Sequence, residues 1–307
     1  MGKAWCVYSD EYYVDMGEHV FPVEKYRLVY AKLAGEGVLT PEEVMVPEPA
    51  SEEDLRLVHE PGYLAHLRRV ASFGWGYLTP DTPVSPDILE KSILAAGGTT
   101  LTARLALECG AALHLSGGFH HAFADHGEGF CYLNDVAIAI RRLGQDGAIR
   151  RAAIIDCDVH QGNGNATIFA QDDSVFTFSI HEEDNYPVPK PPSDVDIGLP
   201  WRCGDEQYLA GVRAGVEAAL SGGAPEIVLY LAGADPYEHD MLGGLAVTMG
   251  GLRERDRIVL SACREARVAV AAVLAGGYAH DTDDTVRIHC TTAREVRTNL
   301  LAWGSLG

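Results

Sequence analysis

Short, mainly apolar segments alternate along this chain with segments of helical character. Continuous apolar segments of this length are typical of strands that are covered on both faces. Strand, helix and strand in alternation predict a parallel sheet with right-handed crossovers. The predicted strands are 111–115, 151–156, 174–180, 226–234 and 267–275, and the predicted helices are 134–143, 205–220, 252–266 and a helix that Ser85 caps and that runs to Glu108.

The composition is that of an ordinary globular protein. Apolar residues make up 47% and charged residues 22% of the 307 residues, which excludes collagen-like and disordered chains. The length allows two domains at roughly 150 residues per domain, and one large α/β domain fits equally well. No internal repeat, low-complexity tract or linker divides the sequence.

The charge balance and the apolar segments limit the partners of the chain. There are 24 Lys and Arg residues against 44 Asp and Glu residues, a net charge of −20. We expect no nucleic-acid partner, because phosphate neutralisation needs a basic surface. The longest apolar stretch, 268–279, is too short to span a bilayer, and the N-terminus has no apolar leader. These features predict a soluble cytoplasmic protein without a membrane partner, and seven cysteines without a CxxC pair are interpreted as reduced thiols.

Acidic and histidine residues follow the predicted strands at the point where each strand ends. The segments are 156–160, 179–181, Asp235 and 276–278. In an open α/β sheet the carboxyl ends of the strands form the ligand crevice. The sequence therefore predicts that these separate segments meet at one site.

Asp158, His160 and Asp235 have the side chains of a catalytic metal site. Asp156, Asp158 and His160 stand at alternate positions, so in an extended segment they project to the same side. Asp158, His160 and Asp235 would give oxygen and nitrogen ligands and leave one position open, as catalytic zinc requires. A hydrogen-bonded cluster without metal is the alternative.

A histidine pair and a tyrosine are candidates for catalysis at the same edge. His120 and His121 stand in a Gly-flanked turn after a predicted strand, and imidazole is the side chain best suited to proton transfer near neutral pH. Tyr278 follows two glycines and could donate its hydroxyl to a developing oxyanion. A tyrosine packed in the core is the alternative for Tyr278.

Several motifs resemble the signature segments of the zinc-dependent histone deacetylase family in the arginase/deacetylase superfamily. They are GGFHHAFADHGEGFCYLND (117–135), IIDCDVHQGNG (154–164), GAD (233–235) and AGGY (275–278). The resemblance covers nearly the whole chain in order, and HQGNG together with FPVEKYRLV (21–29) is most similar to the class IV branch and its bacterial relatives. It implies a single catalytic domain over 1–307 with an arginase/deacetylase-like fold, whose central parallel sheet is flanked by helices and carries the active site at the carboxyl ends of its strands.

The resemblance also implies roles for individual residues. Zn²⁺, or Fe²⁺ in its place, would bind to Asp158, His160 and Asp235. His121 would be the general base and acid, and His120 its electrostatic partner. Tyr278 would polarise the acyl oxygen.

Supporting groups and a second ion follow from the same resemblance. Asp156 would orient His120, and Asn163 would orient His121 at a position where many relatives carry Asp. A neutral amide stabilises the histidine cation less than a carboxylate does. A monovalent cation, K⁺, is expected at Asp156, Asp158, His160, Ser179 and Ile180.

The expected substrate path is defined by a further set of residues. Gly129, Phe130 and Tyr186 match the walls of an acyl-lysine tunnel, where aromatic faces would enclose the aliphatic stem. Arg27 matches an arginine that lines an internal acetate channel. Structural packing is the alternative for the three wall residues, and an arginine on a helix surface is the alternative for Arg27.

These expectations favour a metal-dependent amidohydrolase that removes acetyl or longer acyl groups from the ε-amine of lysine in a peptide or protein. An acetylpolyamine deacetylase is the nearest alternative, because both substrates present an acylated alkyl amine. A catalytically weak module that binds acyl-lysine is the alternative from a different class. The oligomeric state does not follow from the sequence.

Overall fold

The structure is a computed structural model that describes residues 4–221 and 224–303. Its strands are β1 (Cys6–Val7), β2 (Val44–Met45), β3 (Gly76–Thr79), β4 (Thr82–Val84), β5 (Ala111–His114), β6 (Ala152–Asp156), β7 (Val175–Glu182), β8 (Val195–Leu199), β9 (Ile227–Leu231) and β10 (Ala269–Val273). Within these described ranges eight strands form one parallel sheet in the order β2-β1-β5-β10-β9-β6-β7-β8, and β3 and β4 form an antiparallel hairpin.

Helices cover both faces of the parallel sheet. They are α1 (Lys25–Gly35), α2 (Glu52–Arg56), α3 (Pro61–Ala71), α4 (Pro86–Cys109), α5 (Asp135–Gln145), α6 (Asn163–Phe169), α7 (Asp205–Ser221), α8 (Met249–Ala266) and α9 (Thr282–Trp303). Apolar residues of α1, α7, α8 and α9 belong to the core on one face, and those of α5 belong to the core on the other.

The central strands contribute side chains to both cores in alternation. In β9, Val228 and Tyr230 pack into the first core, whereas Leu229 and Leu231 pack into the second. Successive side chains of a strand point to opposite faces, so a strand with a core on each side is apolar throughout. The predicted parallel sheet with helices on both faces is confirmed.

The predicted elements correspond to β5, β6, β7, β9 and β10 and to α4, α5, α7 and α8. The predicted cap of α4 is also confirmed, since the Ser85 hydroxyl accepts a hydrogen bond of 3.2 Å from the backbone N–H of Ile88. Among the helices of the described ranges, none combines the length and the apolar character needed to cross a membrane.

Candidate active site

The carboxyl ends of four neighbouring strands carry the candidate site. The order β5-β10-β9-β6 places the segments after these strands side by side at the centre of the sheet. His120 and His121 follow β5, Asp158 and His160 follow β6, and the segments after β9 and β10 add Asp235 and Tyr278. The structure therefore brings together the predicted segments 156–160, Asp235 and 276–278, and the predicted segment 179–181 lies within β7, directly beside β6.

Asp158, His160 and Asp235 form one buried cluster. One side-chain ligand atom from each residue lies within 4.8 Å of the others. Backbone N–H groups hold the two carboxylates: Val159 donates to Asp235 Oδ1 over 2.9 Å, and Gly276 donates to Asp158 Oδ2 over 2.9 Å. The cluster is thus fixed by the backbone of two different strand ends.

The charges of this cluster suit a cation. Asp235 Oδ2 is buried and accepts no hydrogen bond from any residue that the structure describes, and His160 Nδ1 is 3.5 Å away. Burial lowers the pKa of His160, but the hydrogen bond to Asp158 and the negative charges of Asp158 and Asp235 outweigh it and raise that pKa to about 10. A buried carboxylate oxygen without a donor, beside a second carboxylate, fits a metal ligand, because a bound cation replaces the protons that such a cluster otherwise holds.

Gly276 leaves space for the two carboxylates. A Cβ atom at this position would overlap Asp235 Oδ2 and would lie 2.6 Å from Asp158 Oδ2. The glycine of the AGGY motif is therefore required by the close approach of both carboxylates to the backbone.

Each histidine of the pair is bonded to a different supporting group. The Nδ1 of His120 lies 2.7 Å from Asp156 Oδ2, and the Nδ1 of His121 lies 2.7 Å from Asn163 Oδ1. The two imidazole centroids are 4.0 Å apart. Burial, followed by the charges of His120 and His160, holds the pKa of His121 well below its ordinary value. A neutral His121 next to a charged His120 is an arrangement in which one ring can accept a proton.

Asp135, which is not among the site residues predicted from the sequence, holds the turn that carries the histidine pair. This first residue of α5 accepts hydrogen bonds from the backbone N–H groups of Gly118 and Phe119, over 2.9 and 2.8 Å. Thr99 donates a further bond to it. The available signal is that Asp135 ends the motif 117–135 and begins the predicted helix 134–143.

Tyr278 lies in the same cleft as the histidine pair. It is buried, and Phe21 and Phe130 pack edge-on against its ring with centroids 6.0 Å away. Its backbone N–H donates to Asp240 Oδ2 over 2.7 Å. Burial, reinforced by the nearby carboxylates, raises the pKa of the Tyr278 hydroxyl well above its ordinary value, so the hydroxyl keeps its proton and can donate it in a hydrogen bond.

Gly129 and Tyr186 lie beside His121, and Phe130 lines the same cleft. Gly129 and Phe130 line the cleft and have positive φ angles of 54° and 66°, the pattern of a tight type I′ turn. A left-handed backbone conformation is unfavourable for phenylalanine, so the surrounding structure must hold Phe130 in it. The ring of Tyr186 stands at 80° to that of His121 with centroids 4.9 Å apart, and the residue is 36% exposed, so it lies at the mouth of the cleft.

The residues expected to hold a monovalent cation lie on adjacent strands. Asp156 of β6 and Ser179 of β7 are direct partners in the sheet, and Ile180 is the next residue of β7. The Oγ of Ser179 is 3.0 Å from His181 Nδ1. The set is therefore contiguous with Asp158 and His160, and cation binding there stays a prediction.

The prediction that Arg27 lines an internal channel is wrong, because Arg27 lies on the exposed side of α1. The buried cation of this helix is Lys25, whose Nζ lies over the Tyr278 ring, 5.7 Å from its centroid. Residues two positions apart on a helix are about 200° apart around its axis, so only one of the two can face the site. Sequence reasoning missed Lys25, since a lysine is almost never fully buried.

A buried set of aspartate, histidine and tyrosine side chains at the carboxyl edge of a parallel sheet lies where α/β enzymes place their active sites. A profile of the histone deacetylase domain matches residues 19–294. An uncharacterized protein of Picosynechococcus sp. is 44% identical over 298 residues, which cover 95% of this chain and 97% of that protein. Histone deacetylase 2 of Arabidopsis thaliana is 32% identical over 293 residues, which cover 91% of this chain and 75% of that protein. The chain belongs to the histone deacetylase family.

Solved structures support the same fold. An HDAC homologue from Aquifex aeolicus superposes with a TM-score of 0.82 at 24% sequence identity, covering 97% of this chain and 84% of that chain. The expected arginase/deacetylase-like architecture, with one central parallel sheet flanked by helices, is therefore confirmed.

Proposed function

We propose that this protein is a zinc-dependent hydrolase that removes an acetyl or longer acyl group from the ε-amine of lysine in peptides or proteins. The observation that carries the proposal is the unpartnered, buried Oδ2 of Asp235, which clusters with Asp158 and His160. Asp158 and His160 line the same cleft as His121 and Tyr278. Family membership supports a deacetylase activity in general terms.

Asp158, His160 and Asp235 would hold the metal. Two carboxylates and one imidazole suit Zn²⁺, and Fe²⁺ accepts the same ligands. A bound Zn²⁺ would polarise the acyl carbonyl and lower the pKa of a water molecule.

The residues of the chain would carry the proton transfers. His121 Nε2 accepts the proton of the attacking water and returns it to the departing amine. The Tyr278 hydroxyl donates a hydrogen bond to the oxygen that becomes negative as the carbonyl carbon turns tetrahedral. His120, paired with Asp156, keeps a positive charge close to this oxyanion, because carboxylate neighbours outweigh burial and raise the pKa of His120 to about 9.

The cleft walls would bind the alkyl stem of the substrate. Phe130 in the cleft and Tyr186 beside His121 offer aromatic surfaces, and a lysine side chain presents four methylene groups to such surfaces. An acetylated polyamine presents a similar stem, and the acidic surface of this chain is compatible with its remaining amines. K⁺ would bind beside the zinc site at Asp156, Asp158, His160, Ser179 and Ile180.

The test is a matched panel of acetyl-lysine peptide, long-chain acyl-lysine peptide and N-acetylated polyamines, offered to zinc-loaded protein. Carboxylate release from an acyl-lysine peptide, absent with His121→Ala, is the expected result. A preference for the polyamines would replace the substrate assignment. Binding of acyl-lysine without release from any substrate, with one zinc per chain, would instead support the binding-module alternative.

A further inference from the structure

Glu128 connects two residues that surround the cleft. Its Oε1 accepts a hydrogen bond of 2.6 Å from Asn163 Nδ2 and one of 2.7 Å from the Tyr186 hydroxyl. Its Oε2 is 3.8 Å from His126 Nε2. The backbone of Glu128 is also fixed, because its carbonyl accepts a bond of 2.8 Å from the N–H of Cys131. A half-buried carboxylate is thus held between Asn163 and Tyr186.

The carboxylate determines the orientation of the Asn163 amide. An ionised carboxylate only accepts hydrogen bonds, so the amide nitrogen is the atom that faces Glu128. The amide oxygen then faces His121 Nδ1 and also accepts a bond of 3.1 Å from the N–H of Gly164. If the amide were reversed, its oxygen would lie against the Glu128 carboxylate without a hydrogen atom between them. Glu128 therefore excludes the reversed orientation.

The orientation of Asn163 in turn determines which nitrogen of His121 carries the hydrogen. An amide oxygen only accepts, so Nδ1 is the protonated nitrogen in the neutral ring. Nε2 is then left with a free lone pair. A reversed amide would favour the opposite tautomer, in which Nε2 carries the hydrogen and cannot act as a base.

We propose that Glu128 is a positioning residue for His121 and acts through the side chain of Asn163. His120 contacts a carboxylate directly, whereas His121 reaches one through an intervening amide. This inference rests on the proposed function only in that His121 is taken as the base. It also explains the amide at position 163, because a carboxylate there would stand 2.6 Å from that of Glu128, and two anions so close repel each other.

The kinetic test compares Glu128→Leu with Glu128→Gln, in the zinc-loaded full chain. Leucine removes the acceptor, so we expect kcat to fall by roughly 10- to 100-fold, the usual cost of losing a group that orients a catalytic residue. Glutamine keeps an acceptor oxygen and should restore most of kcat. Asp125→Asn is the matched control, because it removes a carboxylate of the same turn that is bonded to His126 and not to Asn163.

A second variant separates the two contacts of Glu128. Tyr186→Phe removes only the bond from Tyr186 and should act mainly on KM, since Tyr186 is a wall residue. If Tyr186→Phe lowered kcat as much as Glu128→Leu does, Glu128 would act through Tyr186, and the proposal would be overturned.

Exchange of the acid and the amide tests the pair directly. Asn163→Asp alone should lower kcat, since it places two carboxylates in contact. The double variant Asn163→Asp with Glu128→Gln restores one acid and one amide in the reverse order, and we expect it to recover much of the lost kcat. A double variant no more active than Asn163→Asp would contradict a coupling through this contact.

A spectroscopic measurement tests the tautomer without depending on turnover. The imidazole ¹⁵N shifts of His121, assigned by their loss in His121→Ala, should report a protonated Nδ1 in the unmodified protein and in Glu128→Gln, and a changed tautomer in Glu128→Leu. If His121 carried its hydrogen on Nε2 in the unmodified protein, the proposal would fail. If the tautomer changed as expected but no substrate were hydrolysed, the positioning role would stand and the proposed function would fail.

Discussion

The Nζ of Lys25 donates a hydrogen bond of 2.8 Å to the carbonyl oxygen of Ala275, although 250 residues separate the two in the chain. Ala275 has a left-handed φ of 52° and directly precedes Gly276. A buried ammonium group from the first helix therefore holds the strained turn that leads to Tyr278. Burial lowers the pKa of Lys25 to about 8, against the charges of Asp235 and Asp158, which raise it.

Lys25→Met should destabilise the protein. The substitution leaves the Ala275 carbonyl without its donor and removes a cation near two carboxylates, so the free energy of unfolding should fall by about 1–3 kcal/mol. Urea unfolding of the metal-free protein measures this change. Arg27→Ala, on the exposed side of the same helix, should stay within about 0.5 kcal/mol of the unmodified protein. Equal losses for the two variants would contradict the assignment of Lys25 as the internal cation.

Tyr278→Phe should reduce turnover while the metal stays bound. Removal of one donor to a developing oxyanion typically lowers kcat by about 100- to 1,000-fold. The side chain itself is packed between Phe21 and Phe130 and does not need the hydroxyl for its position. The measurement is kcat together with the zinc content per chain. Turnover close to normal at full zinc content would remove Tyr278 from the mechanism.

Gly276→Ala should impair metal binding before it affects the rest of the fold. The added methyl group would displace the carboxylates of Asp158 and Asp235, which approach the backbone here. Isothermal titration with Zn²⁺ should give a much weaker affinity than in the unmodified protein. Gly144→Ala in α5 is the control, because a Cβ there meets no atom within 4 Å. Unchanged zinc affinity in Gly276→Ala would argue against these two carboxylates as ligands.

Acidification should destabilise the protein in part through His59. The Nε2 of this buried ring accepts a hydrogen bond of 3.0 Å from the N–H of Asn134, and Nδ1 lies 2.9 Å from the carbonyl oxygen of Phe123. Burial lowers the pKa of His59 from 6.5 to about 4. Between these two pKa values, His59 binds a proton in the unfolded chain but not in the folded chain. The stability of the folded protein therefore falls as the pH falls through this range.

His59→Gln isolates this contribution. The contribution of His59 to the loss of unfolding free energy is about 1.4 kcal/mol for each pH unit between the two pKa values. The glutamine variant should show a correspondingly shallower decline of the urea midpoint on acidification. Identical pH dependence of the two proteins would show that His59 does not titrate differently on unfolding.

The central sheet and the clustering of the site could be predicted because both depend on local patterns. Strands such as β9 and β10 are apolar throughout, and the residues that follow them carry acids, glycines and a tyrosine. The predicted strands 226–234 and 267–275 extend beyond Ile227–Leu231 and Ala269–Val273, because apolar residues continue into the buried turns of the site. Apolar residues in these segments indicate burial, and the buried residues continue beyond the end of each strand.

Other elements could not be predicted, because their role depends on distant contacts. The edge strand β8 (Val195–Leu199) is half-exposed, and β1 and β2 have two residues each, too few to give a periodic pattern. From the sequence alone, Lys25 is expected to be a surface charge, because its partner Ala275 lies 250 residues away in the chain. Glu128 similarly stands in a turn, and only the fold brings it to Asn163.

The strand order has a consequence for how the protein is made. β10 is the last strand of the part of the chain that the structure describes, and it lies between β5 and β9. During synthesis the middle of the sheet therefore stays open until residues 269–273 have left the ribosome. The pairing of β10 with β5 closes a loop of more than 150 residues, and such long-range pairing slows folding. A chain truncated before β10 would not be a smaller folded unit. It would expose the unpaired edges of β5 and β9, which can recruit strands from other chains and start aggregation.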